Sequence, residues 1–86
     1  MELNNVIKYP LATEKSVRLM EAENKLIFIV DKKSKKQEIK EAAESLFSIK
    51  VDNVNTTILI SGKKKAYITL SKDTPAIDVA TQLGLI

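Results

Sequence analysis

The chain has 86 residues, a formal net charge of +3, and neither histidine nor cysteine. This length predicts a single domain, residues 1–86. The missing residue types exclude zinc fingers, disulfides, thiol nucleophiles and imidazole acid–base chemistry. A hydrophobic content of 44% with two phenylalanines, two tyrosines and no tryptophan predicts a folded core that is mostly aliphatic.

No apolar run in the sequence approaches the ~20 residues that a membrane-spanning helix needs. The first residues also lack the apolar stretch of a secretory signal. We therefore expect no membrane insertion and a cytoplasmic location.

The first third of the chain predicts an extended lead-in, a helix and a strand. Val6 and Ile7 are expected either to form a short strand or to pack at the domain edge. Thr13 is a good helix N-cap and predicts a helix that runs to about Glu23. The run from Leu26 to Val30 is apolar throughout and indicates a central strand covered on much of both faces.

Two further helices are predicted from capping signals and apolar spacing. Ser34-x-x-Gln37 is a capping-box pattern and predicts a second helix that ends near Ser48. Its apolar residues recur at helical spacing and define one stripe: Ile39, Ala42, Ala43, Leu46 and Phe47. Thr74 followed by Pro75 predicts the N-cap and the first residue of a short third helix.

The stretch from Val51 to Leu70 predicts an antiparallel β-hairpin, because both arms alternate and Gly62 supplies the positive φ of a tight turn. One set of side chains is expected to face the core: Val54, Thr56, Ile58, Ile60, Ala66, Ile68 and Leu70. The other set is expected on a free face: Asn53, Asn55, Thr57, Leu59, Lys65, Tyr67, Thr69 and Ser71. The predicted fold class is α+β, a three- to four-stranded antiparallel sheet with helices packed mainly on one face.

No constellation of residues indicates catalysis. Carboxylates, lysine, tyrosine and serine are the remaining reactive groups, and no carboxylate pair has a motif that identifies an acid and a base. The two glycines, at 62 and 84, form no Gly-rich phosphate loop, and no clustered oxygen ligands indicate a metal. We therefore expect no enzymatic activity, no cofactor, no metal site and no small-molecule substrate.

Lysines are clustered at two places in the chain. One cluster is Lys32, Lys33, Lys35, Lys36 and Lys40, and the other is Lys63, Lys64 and Lys65. Clustered lysines indicate a polyanion partner, because neutralised phosphates release counterions. A solvated turn that blocks edge-to-edge strand pairing also explains the second cluster. The amides, hydroxyls and single tyrosine of the free hairpin face favour RNA, bound mainly through its shape and phosphates.

Seven short segments cover nearly the whole chain in a fixed order. They are Tyr9-Pro10-Leu11-x-Thr13-Glu14-Lys15-Ser16, Phe28-Ile29-Val30-Asp31, Lys36-x-x-Ile39-Lys40-x-Ala42, Leu46-Phe47, Lys50-Val51-x-x-Val54-Asn55-Thr56, Lys64-Lys65-Ala66-Tyr67 and Asp78-Val79-Ala80. In this order they resemble the L-twenty-three family of large-subunit ribosomal proteins. Only Ser61-Gly62-Lys63 stands where bacterial members have a long basic loop, so the chain is similar to the archaeal or eukaryotic form. It lacks the long basic N-terminal extension of eukaryotic members, and the archaeal type is therefore expected.

The resemblance implies a structural constituent of the large subunit of cytoplasmic ribosomes that binds large-subunit ribosomal RNA beside the polypeptide exit tunnel. It also implies a neighbouring protein of the L-twenty-nine family and a docking site for nascent-chain factors such as signal recognition particle. The candidate RNA-binding residues are Lys8, Lys15, Arg18, Lys33, Lys36, Lys40, Asn53, Asn55, Thr56, Lys63, Lys64, Lys65 and Tyr67. Glu14 matches the family position associated with factor docking.

The alternative interpretation is a protein–protein adaptor domain with a nonspecific basic patch. In that case the open sheet face, or Leu85 and Ile86, would bind a peptide. RNA affinity would then be low at physiological salt.

Overall fold

The computed structural model describes residues 5–11 and 13–84, so Leu85 and Ile86 lie outside the described residues. Strands and helices follow in the order β1 (Ile7–Pro10), α1 (Glu14–Glu23), β2 (Lys25–Val30), α2 (Lys36–Phe47), β3 (Val51–Ile58), β4 (Lys64–Leu70) and α3 (Ala76–Gln82). The four strands form one sheet in the order β1-β2-β4-β3, with every neighbouring pair antiparallel. The predicted α+β class is therefore confirmed, and the N-terminal segment forms an edge strand.

The hydrophobic core lies on one face of the sheet, where α1, α2 and α3 pack. Alternate strand residues meet helix residues there: Leu26, Phe28, Val30, Ala66, Ile68 and Leu70 with Met20, Ile39, Ala42, Ala43, Val79 and Ala80. The ring of Phe28 is 1% exposed and stacks on Phe47 with 5.3 Å between centroids. Burial of a side chain of this size contributes about 1.5–3 kcal/mol.

Helix α1 begins and ends where the sequence predicts. Thr13 Oγ1 accepts a hydrogen bond from the Ser16 N–H at 3.2 Å, and Ser16 Oγ accepts one from the Thr13 N–H at 2.8 Å. The helix ends at Asn24, which has a left-handed backbone with φ of 55°. Asparagine is one of the few residues that adopt this conformation at low cost. β2 follows directly, and its apolar residues are buried on both faces.

The side chain of Asn24 joins the α1–β2 junction to the start of α3. Its Nδ2 donates to three carbonyl oxygens at 3.1–3.2 Å, those of Leu70, Ser71 and Thr74. Its Oδ1 accepts a hydrogen bond from the Ala76 N–H at 2.6 Å. The N-cap of α3 is Pro75, so the prediction of Thr74 was wrong by one residue. The first amide of α3 is satisfied by a residue that is distant in sequence, and local pattern does not reveal this.

The start of α2 also differs from the predicted capping box. The helix begins at Lys36 with Lys35 as N-cap, and Glu38 Oε1 accepts a hydrogen bond from the Lys35 N–H at 3.0 Å. The hydroxyl of Ser34 instead donates to the carbonyl of Asp31. The Ser34–Gln37 box was therefore wrong by one residue, because the serine closes the preceding turn.

The predicted hairpin is confirmed and joins β3 to β4. The Gly62 N–H donates to the Leu59 carbonyl at 2.9 Å, and Gly62 has φ of 91°. Two residues predicted in the core are exposed at this end: Ile58 is 58% exposed and Ile60 fully so. The prediction was wrong for them because β3 ends at Ile58 and the hairpin extends beyond the helices that cover the sheet.

Candidate nucleic-acid interface

The side of the sheet opposite the helices carries most of the polar hairpin residues. The strand register aligns its side chains in three rows, which together we call the open face. The rows are Tyr9–Ile29–Lys65–Thr57, Ile27–Tyr67–Asn55 and Lys25–Thr69–Asn53. Four of the predicted RNA-binding residues, Asn53, Asn55, Lys65 and Tyr67, are therefore brought onto one surface.

Two isoleucines form an apolar floor within the open face. Ile27 and Ile29 are only 5% and 3% exposed, although no helix in the described part of the chain packs over them. They are flanked by longer side chains, and Lys65 Nζ lies 5.1 Å from the centroid of the Tyr67 ring. Such side chains shield apolar surface with their stems and rings while their polar ends stay in water. The open face is thus polar and positively charged above an apolar floor.

The end of the sheet that carries the hairpin turn, residues 59–63, is here called the turn end. Lys63 Nζ donates a hydrogen bond to the hydroxyl of Tyr9 at 3.0 Å and so joins the turn to strand β1. Tyr9 is 41% exposed. Sequence reasoning did not include Tyr9 among the candidate residues, since its place on the open face depends on pairing with Ile29. A four-residue edge strand has too little alternation to reveal this.

Two predicted residues lie on the helix-covered side of the hairpin. Lys64 is half-buried, and its Nζ donates to the Ser34 carbonyl at 2.6 Å. Thr56 is half-buried opposite Ala66. The structure therefore separates both residues from the open face, and Lys64 ties the hairpin to the β2–α2 connection.

A groove of about 180 Å³ lies between α2 and the outer edge of β3. It brings together Lys36, Lys40, Asn53 and Asp52. Glu44 fixes this edge, because its Oε2 accepts a hydrogen bond from the Val51 N–H at 3.2 Å. Since Asn53 belongs to both the groove and the open face, the cationic surface continues around the edge of the sheet.

The remaining candidates are more widely spread. Lys15, Arg18 and Glu14 lie on the exposed side of α1, apart from the open face. Arg18 Nη2 and Glu14 Oε1 form an exposed ion pair at 2.7 Å, and such a pair contributes only about 0.3–0.5 kcal/mol. Lys8 and Lys33 are exposed on β1 and in the β2–α2 connection.

Within residues 5–11 and 13–84, no three His, Cys, Asp or Glu side chains are grouped as metal ligands. None of the described helices has the length and apolar character required to cross a membrane. The surface offers ammonium ions, amides and hydroxyls. These groups bind phosphates, sugar hydroxyls and base edges.

A small basic α+β domain with a lysine-bearing open sheet has an electrostatic footprint typical of nucleic-acid-binding domains. Comparison with known proteins identifies the family to which the chain belongs. Residues 5–68 match the family described as Ribosomal protein L23. The chain is also 46% identical over 85 residues to the large ribosomal subunit protein uL23 of Methanococcus aeolicus, with 99% of each chain covered. The chain belongs to the L23 family of ribosomal proteins.

This membership confirms the resemblance drawn from the ordered segments. The chain is a structural constituent of the large subunit of the cytoplasmic ribosome. The archaeal relative is consistent with the short hairpin turn at Ser61-Gly62-Lys63.

Proposed function

We propose that the chain binds large-subunit ribosomal RNA through the open face and the lysines of the turn end, beside the polypeptide exit tunnel. The observation that supports this most is the continuous surface formed by Asn55, Tyr67, Lys65, Lys63 and Tyr9. Neither lysine forms an ion pair with a described residue. Their ammonium groups are thus available for phosphates, while the amide and hydroxyls suit ribose 2′-hydroxyls and base edges.

The same proposal extends to the edge groove and to α1. Lys36 and Lys40 continue the cationic surface from Asn53 around the β3 edge. Lys15 and Arg18 lie on a different side of the domain, so their RNA contacts would involve a separate segment of the RNA. Binding is led by shape and phosphates, because Tyr9 and Tyr67 stand in different rows and do not form a paired stacking platform.

Titration against fragments of large-subunit ribosomal RNA at several salt concentrations is expected to show steep salt dependence. Each neutralised phosphate contributes roughly −0.7 to −0.9 to the slope of log affinity against log salt, so about five contacts give a slope of about −3.5 to −4.5. An unrelated RNA of equal length serves as competitor. Binding confined to one fragment would locate the site. Equal and weak binding to both RNAs would reject the proposal and favour the adaptor interpretation.

The docking of nascent-chain factors is the second part of the proposal. Glu14 lies in the first turn of α1 with its side chain 81% exposed, where a cationic group of signal recognition particle can reach it. We expect Glu14→Lys to weaken co-sedimentation of signal recognition particle with reconstituted large subunits about tenfold, because one charge-assisted contact of about 1.5 kcal/mol is lost. Glu21→Lys, also exposed on α1, is the matched control.

Equal effects of the Glu14 and Glu21 variants would show that only the charge of α1 matters, and no effect of either would reject docking at Glu14.

The neighbouring L-twenty-nine protein and the position at the exit tunnel belong to the same proposal. Cross-linking from the chain in assembled subunits tests both. Cross-links only to proteins remote from the tunnel exit would reject them.

A further inference from the structure

We propose that a cleft at the turn end binds one unstacked nucleotide of RNA, with the base against Tyr9 and the phosphate on lysines. This inference rests on the RNA binding proposed above and adds a distinct site to it. The cleft has a volume of about 300 Å³, and its lining includes Lys8, Tyr9, Ile29, Val30, Lys32 and Lys63. Tyr9 and Lys32 are not among the RNA-binding residues predicted from the sequence.

One half of the cleft is apolar and aromatic. Ile29 lines it from the open face and is itself well packed, with 3% exposure, whereas the side chain of Val30 belongs to the helix-side core. The Tyr9 ring stands on the same side of the sheet as Ile29 and remains partly open to solvent. Stacking of a base on an aromatic ring stabilises bound RNA and tolerates any base, because every base has a π-face.

Lys63 holds the Tyr9 ring without covering it. Its Nζ lies 3.0 Å from the hydroxyl oxygen and 5.6 Å from the ring centroid. In tyrosine the hydroxyl oxygen lies in the ring plane. The distance from Nζ to the centroid is close to the sum of two distances, that from Nζ to the hydroxyl oxygen and that from this oxygen to the centroid. The three points are therefore nearly in line, and the ammonium lies beyond the hydroxyl, near the ring plane. The hydrogen bond therefore orients the ring and leaves its solvent-facing side free for stacking.

The other half of the cleft is cationic. Lys8 and Lys32 are exposed and form no ion pair with a described residue. Lys63 keeps two further donors after its bond to Tyr9, because an ammonium has three. Lys64 also lines the cleft, but its ammonium is bonded to the Ser34 carbonyl. Three ammonium groups are thus available for a phosphate, and no carboxylate lies among the described lining residues.

The lining also defines the specificity of the cleft. Its described residues include no side-chain amide, carboxylate or guanidinium, so no planar group is in place to form a pair of hydrogen bonds with a base edge. The volume is at the lower limit for ligand pockets, which run from about 300 to 1,000 Å³. The cleft therefore accepts a single bulged or looped nucleotide of any base, and it reads the shape of the RNA at that point.

The test compares Tyr9→Leu with Tyr9→Phe on the ribosomal RNA fragment that the parent protein binds. Loss of stacking is expected to weaken the leucine variant about ten- to hundredfold with an unchanged salt slope, since no phosphate contact is lost. The phenylalanine variant keeps the ring and is expected to bind within about threefold of the parent. Circular dichroism and urea unfolding establish that both variants fold.

A second measurement uses Tyr67→Phe, at an RNA concentration shown by anisotropy to saturate this variant, and leaves Tyr9 as the only tyrosine in a chain without tryptophan. Its fluorescence is expected to be quenched when the RNA fragment binds. Equal binding by parent and Tyr9→Leu, or unchanged Tyr9 fluorescence, would overturn the cleft while leaving RNA binding intact. Failure of the parent to bind any fragment would instead reject the proposed function. Saturable binding of AMP at micromolar concentration would show that the cleft binds a free nucleotide, and it would overturn the proposal that the bound nucleotide belongs to RNA.

Discussion

Replacement of Lys63 and Lys65 together by glutamate is expected to weaken binding to the ribosomal RNA fragment about 100-fold at 0.1 M salt. Each substitution removes a charge-assisted contact of about 1.5 kcal/mol, and two such losses amount to roughly two factors of ten. The slope of log affinity against log salt should become shallower by about 1.4–1.8, because two phosphates are no longer neutralised. Filter binding or fluorescence anisotropy over a salt series measures both quantities.

The matched control is the double substitution of Lys50 and Lys72 by glutamate. Both lysines are exposed at the end of the sheet opposite the hairpin turn, where Ser71 N–H donates to the Lys50 carbonyl. The control changes the net charge by the same amount, and we expect it to weaken binding less than about fivefold. Equal losses in the two doubles would mean that net charge, and no contact at the turn end, governs affinity. Lys64 is left unchanged because its substitution would also break the bond to the Ser34 carbonyl.

The largest expected loss of stability follows from Asn24→Ala. The substitution removes the side-chain bonds to three carbonyls and to the first amide of α3, and it places alanine in a left-handed backbone. The strained backbone costs roughly 1–2 kcal/mol, and partly buried groups left without partners add about 1–3 kcal/mol. We expect a decrease of about 3–4 kcal/mol in the free energy of unfolding, measured by urea denaturation.

Asn24→Gly separates the two contributions. Glycine adopts the left-handed backbone freely but restores none of the side-chain bonds. This variant is therefore expected to be about 1–2 kcal/mol more stable than Asn24→Ala and still less stable than the parent. An alanine variant within about 1 kcal/mol of the parent would contradict a structural role for the Asn24 side chain. Such losses matter because a domain of this size has only roughly 4–13 kcal/mol of stability in total.

Elements with local causes could be predicted closely from the sequence. Thr13 places the start of α1, and the unbroken apolar run after Lys25 identifies the strand at the centre of the sheet. The caps of α2 and α3 were misplaced by one residue because their causes are less local. Ser34 is bonded to the turn before α2, and the first amide of α3 is satisfied by Asn24 across the domain.

The residues of the candidate site could be predicted only where the alternation of side chains along a strand determines which face of the sheet they occupy. Asn53, Asn55, Lys65 and Tyr67 lie on the open face as the period of two indicates. Ile58 and Ile60 obey the same period but are exposed, since alternation does not report how far the helices extend along the sheet. Tyr9 was missed for a related reason. It reaches Lys63 because β1 pairs with β2, and nothing in the sequence around Tyr9 indicates this pairing.

The pairing of β2 with β4 also determines when the sheet can be completed during synthesis. Residues 25–30 are translated before their partners at 64–69, which lie roughly 40 residues further along the chain. At about 5–20 residues per second, this interval lasts for several seconds. During that time the run Leu26–Val30, rich in β-formers and without charge, has no strand on its β4 side. The segment that later forms the centre of the sheet is then the part of the nascent chain most prone to aggregation.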